Sequence, residues 1–218
     1  MSIAKRLEAL LEEIEKSVRK LGKKSSEITL IAVTKNASIE QMQEAYSLGL
    51  RHFGESRLNR GKQALFPGDV IWHFIGPLQS NKVKQTMDSF SYIHSIESLK
   101  IAKKISCFAY EQGWKYPCFI ELNLSEEKTK HGFLQEEFLA FKEELFSLQG
   151  LSIQGIMTIA PHTREEAKIR RCFHSLALLK KSLPLDSQKL SMGMSEDFAI
   201  AIEEGATHIR IGSYLFQA

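Results

Sequence analysis

The chain has 218 residues, with 29 Lys and Arg against 26 Asp and Glu, so its net charge is +3 with the histidines neutral. That balance is too mild to demand an acidic partner, and 43% hydrophobic with 25% charged residues excludes the disordered class. A chain of this length builds a core without help from disulfides or metal.

Cys107, Cys118 and Cys172 are odd in number and spaced for neither a disulfide framework nor a zinc knuckle, so a reducing cytoplasm is the expected setting. The first 27 residues carry too many charges for the apolar core of a signal peptide. No run of about 18 apolar residues occurs for a membrane span.

In chain order, residues 1–22 read as an amphipathic helix. Ile3, Leu7, Leu10, Leu11, Ile14, Val18 and Leu21 share one face, and Gly22 is the stop. Glu12, Glu13 and Glu15 argue against an anionic lipid surface, which leaves a helix packed on its own domain. Strand patterns follow at Ile28 to Thr34, Arg51 to Gly54, Val70 to Ile75, Ser91 to Ile96, Cys118 to Leu124, Leu151 to Ile159, Lys189 to Met192 and His208 to Ile211. Between them lie helical patterns. Ser38 to Leu48 opens with a Ser-x-x-Gln capping box, Leu134 to Leu148 keeps Phe138, Phe141, Leu145 and Leu148 in register, and Arg164 to Leu183 is the longest.

Alternating strands and helices, with strands apolar on both faces, predict a parallel sheet covered by helices. Eight such units predict a single α/β domain over residues 1–218, a closed (β/α)8 TIM barrel. The chain ends soon after the eighth strand, so no helix is expected there, and the N-terminal helix is expected to fill the gap in the outer ring. An open doubly wound sheet is the alternative, but no Gly-x-Gly-x-x-Gly or Gly-x-x-x-x-Gly-Lys turn supports it.

In such barrels the chemistry sits at the C-terminal ends of the strands. Strand one ends in Val33-Thr34-Lys35, and alternation puts Lys35 on the face of Thr29, Ile31 and Val33. Two readings stay open: an exposed lysine closing a strand, or an amine in the barrel mouth where an apolar wall would favour the neutral nucleophile that condenses with aldehydes. On strand eight, Ile209 and Ile211 suit the outer layer, which turns Arg210 inward, and a buried guanidinium needs an acceptor. Gly212 and Ser213 follow with backbone N–H groups and a hydroxyl. Strand seven ends in Met194-Ser195, where Ser195 is either an ordinary helix N-cap or part of an anion cradle. An amine, an arginine and an anion cradle together point to a phosphorylated aldehyde.

These residues carry a resemblance. The segments Ala32-Val33-Thr34-Lys35, Phe53-Gly54-Glu55, Trp72 to Lys82, Asn123 with Lys130 and Gly132, Gly155-Ile156-Met157, Leu190 to Ser195 and Arg210 to Ser213 resemble the pyridoxal phosphate homeostasis (PLP-binding) protein family, which is itself similar to the barrel domain of alanine racemase. The resemblance implies that Lys35 forms a Schiff base with pyridoxal 5'-phosphate, that Arg210 faces the pyridine nitrogen, and that Ser195, Gly212 and Ser213 hold the phosphate. It further implies that Met157, Ser191 and Met194 line the ring or phosphate pocket, with His73 and Asn81 near the same rim. Ser56 stands where the family usually has Asn, and Ser213 where Thr is common.

The function so implied is storage, buffering or delivery of the cofactor, with PLP-dependent apo-enzymes as recipients and a monomer or weak dimer as the acting form. The rival is a PLP-dependent racemase or decarboxylase. A racemase needs a second acid/base group across the ring, which alanine racemase takes from a C-terminal β-domain and a partner subunit, and a chain ending at Ala218 is expected to lack it. His52, His94, His131, His162, His174 and His208 show no metal-ligand spacing and read as ordinary polar residues. Lys23-Lys24 and Lys100, Lys103 and Lys104 read as solvated faces rather than a nucleic-acid groove.

Overall fold

The computed structural model describes residues 2–125, 127 and 130–217. Eight parallel strands close into a barrel in sequence order: β1 (Thr29–Val33), β2 (His52–Glu55), β3 (Ile71–Phe74), β4 (Tyr92–Ile96), β5 (Tyr116–Leu122), β6 (Leu151–Thr158), β7 (Lys189–Met194) and β8 (His208–Ile211). The ring closes where β1 pairs with β8, with Thr29 opposite His208, Ile31 opposite Arg210 and Ala32 opposite Ile211. This is the TIM-barrel fold that the alternation of patterns predicts.

The helix α1 (Ile3–Arg19) starts at Ser2, whose side chain accepts from the Lys5 amide, and the chain turns away through Gly22 at φ +65°. Its buried face is Ile3, Leu7, Leu10, Ile14 and Val18, whereas Leu11 and Leu21 are exposed. Those two leucines therefore belong to the solvent side, because a seven-residue stripe is wider than one contact face can cover. The helices α2 (Ile39–Ser47), α3 (Arg60–Gln63), α4 (Val83–Met87), α5 (Leu99–Glu111), α6 (Gln135–Ser147), α7 (Glu166–Lys180) and α8 (Phe198–Glu203) connect successive strands. In the reciprocal box at α2, Ser38 Oγ accepts from the Gln41 amide and Gln41 Oε1 from the Ser38 amide. In α6, Phe138 and Leu145 are buried while Phe141 stays on the outer side.

One expectation is corrected. A helix does follow the last strand: α9 (Ser213–Phe216) is a single turn with Gly212 at its N-cap, and Leu215 and Phe216 are buried. α1 packs against α8, α9 and α2, so it occupies the gap beside β8 together with α9 rather than alone.

The barrel interior is unusually polar. His73, His94, Ser191, His208 and Arg210 are all buried there. β4 and β7 are not neighbours in the sheet, so the bond between His94 and Ser191 crosses the interior and fixes their strands' inward faces. A Cβ on Gly212 would meet Val33, and one on Gly54 would meet Ile31 and Val33, so Ile31 and Val33 share the inner face with Arg210. Among the described residues, no helix is long and apolar enough to cross a membrane.

Candidate functional site

A cavity of about 930 Å³ opens where the strands end, lined by Lys35, Ser56, Met194, Ser195, Arg210, Gly212 and Ser213 among others. Such mouths host ligands because eight loop ends converge over one packed floor.

The strand β1 stops at Val33, and Thr34 extends its ladder by one bond to the Gly54 carbonyl at 3.0 Å. Lys35 sits in the turn beyond, exposed, on the cavity wall. The backbone just before it is clamped. Thr34 Oγ1 lies 2.6 Å from Glu55 Oε1, and Lys62 Nζ donates to the Thr34 carbonyl at 2.7 Å and pairs with Glu55 at 2.9 Å. The Lys62 and Glu55 side chains retain only 12% and 7% exposure, so this pair is fixed in a dry corner. Lys35 thus combines a held backbone with a side chain that has no partner among the described residues.

Arg210 is the opposite case. Its Nη1 donates to Ser191 Oγ at 2.8 Å and its Nη2 to the Thr158 carbonyl at 3.0 Å, while the residue is only 4% exposed. Burial pushes its guanidinium down to about 10, opposed by the charges of Glu121 and Asp197, so it stays cationic at neutral pH. Burial likewise raises the Glu121 carboxyl to about 7, with Arg210 pulling the other way. These acceptors are what an inward arginine requires.

Ser195 Oγ accepts from the amides of Gly212 and Tyr214, both at 3.3 Å. It is not the cap of the next helix: Asp197 holds that position, and its carboxylate accepts from the Met194 amide at 2.5 Å. Gly193, at φ +95°, makes the bend between strand and turn, and a Cβ there would lie 2.5 Å from that of Ala201. The result is two backbone N–H groups at the start of α9 and the hydroxyls of Ser195 and Ser213 on one wall. Their long bonds to Ser195 leave these amides able to take a stronger acceptor. An anion there would meet charge-assisted donors.

Two of the expected pocket residues lie elsewhere. Met157 and Ser191 are 1% and 0% exposed and do not line the cavity; Ser191 supports Arg210 from below. His73 is buried inside the barrel rather than at its rim, and exposed Asn81 lies outside the cavity wall. Sequence reasoning missed the Thr34, Glu55 and Lys62 clamp, the cap at Asp197 and the inward Glu121. For Glu55 and Glu121 the sequence signal is a charged residue inside a strand where its inner face should be apolar, whereas Lys62 and Asp197 lie off the strands and carry none.

The family described as "Alanine racemase, N-terminal domain" matches residues 9–218. A "Pyridoxal phosphate homeostasis protein" from Aquifex aeolicus is 35% identical over 99% of this chain and 98% of its own. This chain belongs to that family. The solved structure of PipY from Synechococcus elongatus without PLP is 35% identical, with a TM-score of 0.87 over 99% of this chain and 100% of its own. The same protein with PLP bound aligns at 34% identity and a TM-score of 0.80, over 93% of this chain and 99% of its own. An alanine racemase of Clostridium difficile shares the fold, with a TM-score of 0.70 at 14% identity, and this chain covers 59% of it.

Proposed function

We propose that this protein binds pyridoxal 5'-phosphate at the C-terminal mouth of the barrel and takes part in its homeostasis by storage, buffering or delivery. The observation that carries the reading is the convergence on one cavity of a free amine, a fixed guanidinium and a cradle of amides and hydroxyls. The donor set fits the group's three features. Lys35 is the partner for an aldehyde, Arg210 for a ring nitrogen, and Ser195, Gly212 and Ser213 for a phosphate; Met194 adds an apolar wall. When bound, the cofactor would supply an aldehyde carbon that forms a Schiff base with Lys35 Nζ, with loss of water. Arg210, carrying only donors, leaves a ring nitrogen facing it unprotonated, which weakens the ring as an electron sink.

The close, full-length relatives named for homeostasis support a role without substantial amino-acid turnover, with the cofactor's apo-enzymes as recipients. Lys35 also stands exposed at an open mouth, so the adduct is reachable by water and by an acceptor amine. One buried apolar cluster running from Ile3 to Phe216 supports residues 1–218 as a single binding domain. The free thiols of Cys107, Cys118 and Cys172 support a reducing compartment, the cytoplasm.

Borohydride trapping followed by peptide mapping tests the assignment. The pyridoxyl group is expected on Lys35, and finding it on Lys130, which also lines the cavity, would overturn the placement. Turnover is tested by exchange of the α-proton of L- and D-alanine in heavy water. Sustained exchange at about 1 per second or faster, lost in Lys35→Ala, would establish an enzyme instead.

A further inference from the structure

A file of hydrogen-bonded side chains runs through the barrel. His52 Nδ1 lies 2.9 Å from His73 Nε2, His73 Nδ1 lies 2.9 Å from His94 Nε2, and His94 Nδ1 lies 2.8 Å from Ser191 Oγ. Ser191 Oγ in turn accepts from Arg210. His52 opens β2 at the N-terminal end of the barrel and is half-buried, while Arg210 forms part of the cavity wall at the other end. The file thus runs from the N-terminal end of the barrel to the cavity at its C-terminal end.

Donor counting fixes its direction. Arginine has no acceptor, so the Ser191 oxygen accepts from Nη1. Among the described residues the only other partner of that hydroxyl is His94, so its proton goes to His94 Nδ1. His94 must then carry its proton on Nε2 and donate to His73 Nδ1, and His73 likewise donates from Nε2 to His52 Nδ1. All three imidazoles are neutral, with the proton on Nε2. Burial lowers the proton affinity of each ring, which agrees with this arrangement.

We propose that this file is a polarised relay through which the protonation of His52 changes how Arg210 is held beneath the cavity, a role that rests on the cofactor reading above. A proton added to His52 must occupy Nδ1, where it confronts the proton on His73 Nε2. Either that bond breaks, or the whole file reverses. Reversal turns His94 Nδ1 into the donor and leaves the Ser191 proton buried without an acceptor, a state that also strips the Arg210 bond of its cooperative polarisation. By linkage, a ligand that tightens Arg210 lowers the proton affinity of His52 by the factor through which acid weakens that ligand. The titratable groups around His52 are His73 on β3, His208 on β8 and, beyond it, Lys189 on β7, with Tyr92 stacked on His73 at 4.9 Å. The charge of Lys189, which disfavours a proton on His208, acts in the same direction. His94 and Ser191 are therefore positioning residues for Arg210, not contacts of the cofactor.

Nitrogen-15 NMR of the imidazoles and of the Arg210 guanidinium, on the full chain, is the test. At pH 7.5 all three file histidines are expected as Nε2–H tautomers, and the Arg210 signals should shift as His52 titrates. Ser191→Ala should raise the proton affinity of His52 about three- to tenfold, and Ser191→Thr, which keeps the hydroxyl, should restore it. Added pyridoxal phosphate should lower that affinity, and its own dissociation constant should weaken by the same factor in acid. An Nδ1–H tautomer on His73 or His94, an Arg210 signal blind to His52, or a Ser191→Ala variant with an unmoved midpoint would each overturn the relay. If pyridoxal phosphate fails to bind at all, the cofactor reading falls, while the ligand-free tautomers and titrations still decide the relay.

Discussion

The β1–β2 corner and the β7–β8 corner of the mouth each present a cation, but by different means. At β1–β2 the backbone is fixed by the buried Glu55 and Lys62 pair while the Lys35 side chain is left free. At β7–β8 the Arg210 side chain itself is fixed, by Ser191 and the Thr158 carbonyl. The difference suits the two tasks proposed for these residues. A nucleophile must swing between adduct and free amine, whereas a group that senses a ring nitrogen gains by being placed in advance, since ordering it at binding would cost affinity.

The contrast is sharpest in Lys35→Ala. Trapping of pyridoxal phosphate should be abolished while stability changes by no more than about 0.5 kcal/mol, because the lost side chain is exposed. Thermal unfolding beside borohydride trapping checks both halves. A large loss of stability would show that Lys35 is part of the scaffold.

Arg210→Ala should behave in the reverse sense. It strips Ser191 and the Thr158 carbonyl of a charged donor and leaves a void in the barrel, so a loss of about 2–4 kcal/mol is expected in urea unfolding. Stability equal to the parent chain would mean that the interior does not depend on this residue.

Glu121 tests the electrostatics between the corners. Its folded pKa of about 7 is raised by burial above the ordinary value of 4.5. The folded state therefore holds the proton more tightly, and this contribution is fully present below about pH 4.5 and lost as pH rises to 7. Glu121→Gln should reduce the fall in stability between pH 5 and pH 8 by about 2–3 kcal/mol. Denaturant titrations at the two pH values measure it, and an unchanged slope would assign the pH dependence elsewhere.

The smallest effect on capture is expected at the clamp. Lys62→Met leaves the buried Glu55 without its cation and frees the Thr34 carbonyl, costing about 3–5 kcal/mol and slowing pyridoxal phosphate capture a few-fold as the turn carrying Lys35 loosens. Capture followed by absorbance in stopped flow reads the rate. An unaltered rate would show that the strand ladder alone holds the turn.

The barrel, its order of elements, and the placement of Lys35 and Arg210 at strand ends were all legible in the residues. Hydrophobic period and strand-to-helix alternation are local properties, and each is repeated along the chain. The sequence also carried a motif at Ser195, but its choice between helix cap and amide cradle waited on the turn that puts Asp197 at the N-cap position and Ser195 Oγ against the Gly212 and Tyr214 amides. What fills the barrel depends instead on contacts between distant strands. His52, His73 and His94 lie 21 residues apart in turn, one on each of three successive strands, and that equal spacing is the lone trace of their file in the sequence. Spacing along a chain says nothing of register between strands, and the file exists because pairing sets β2, β3 and β4 so that their inward rings meet nitrogen to nitrogen. The bond from His94 to Ser191, from the fourth strand to the seventh, arises from closure alone, since only a closed ring brings the inner faces of non-adjacent strands together.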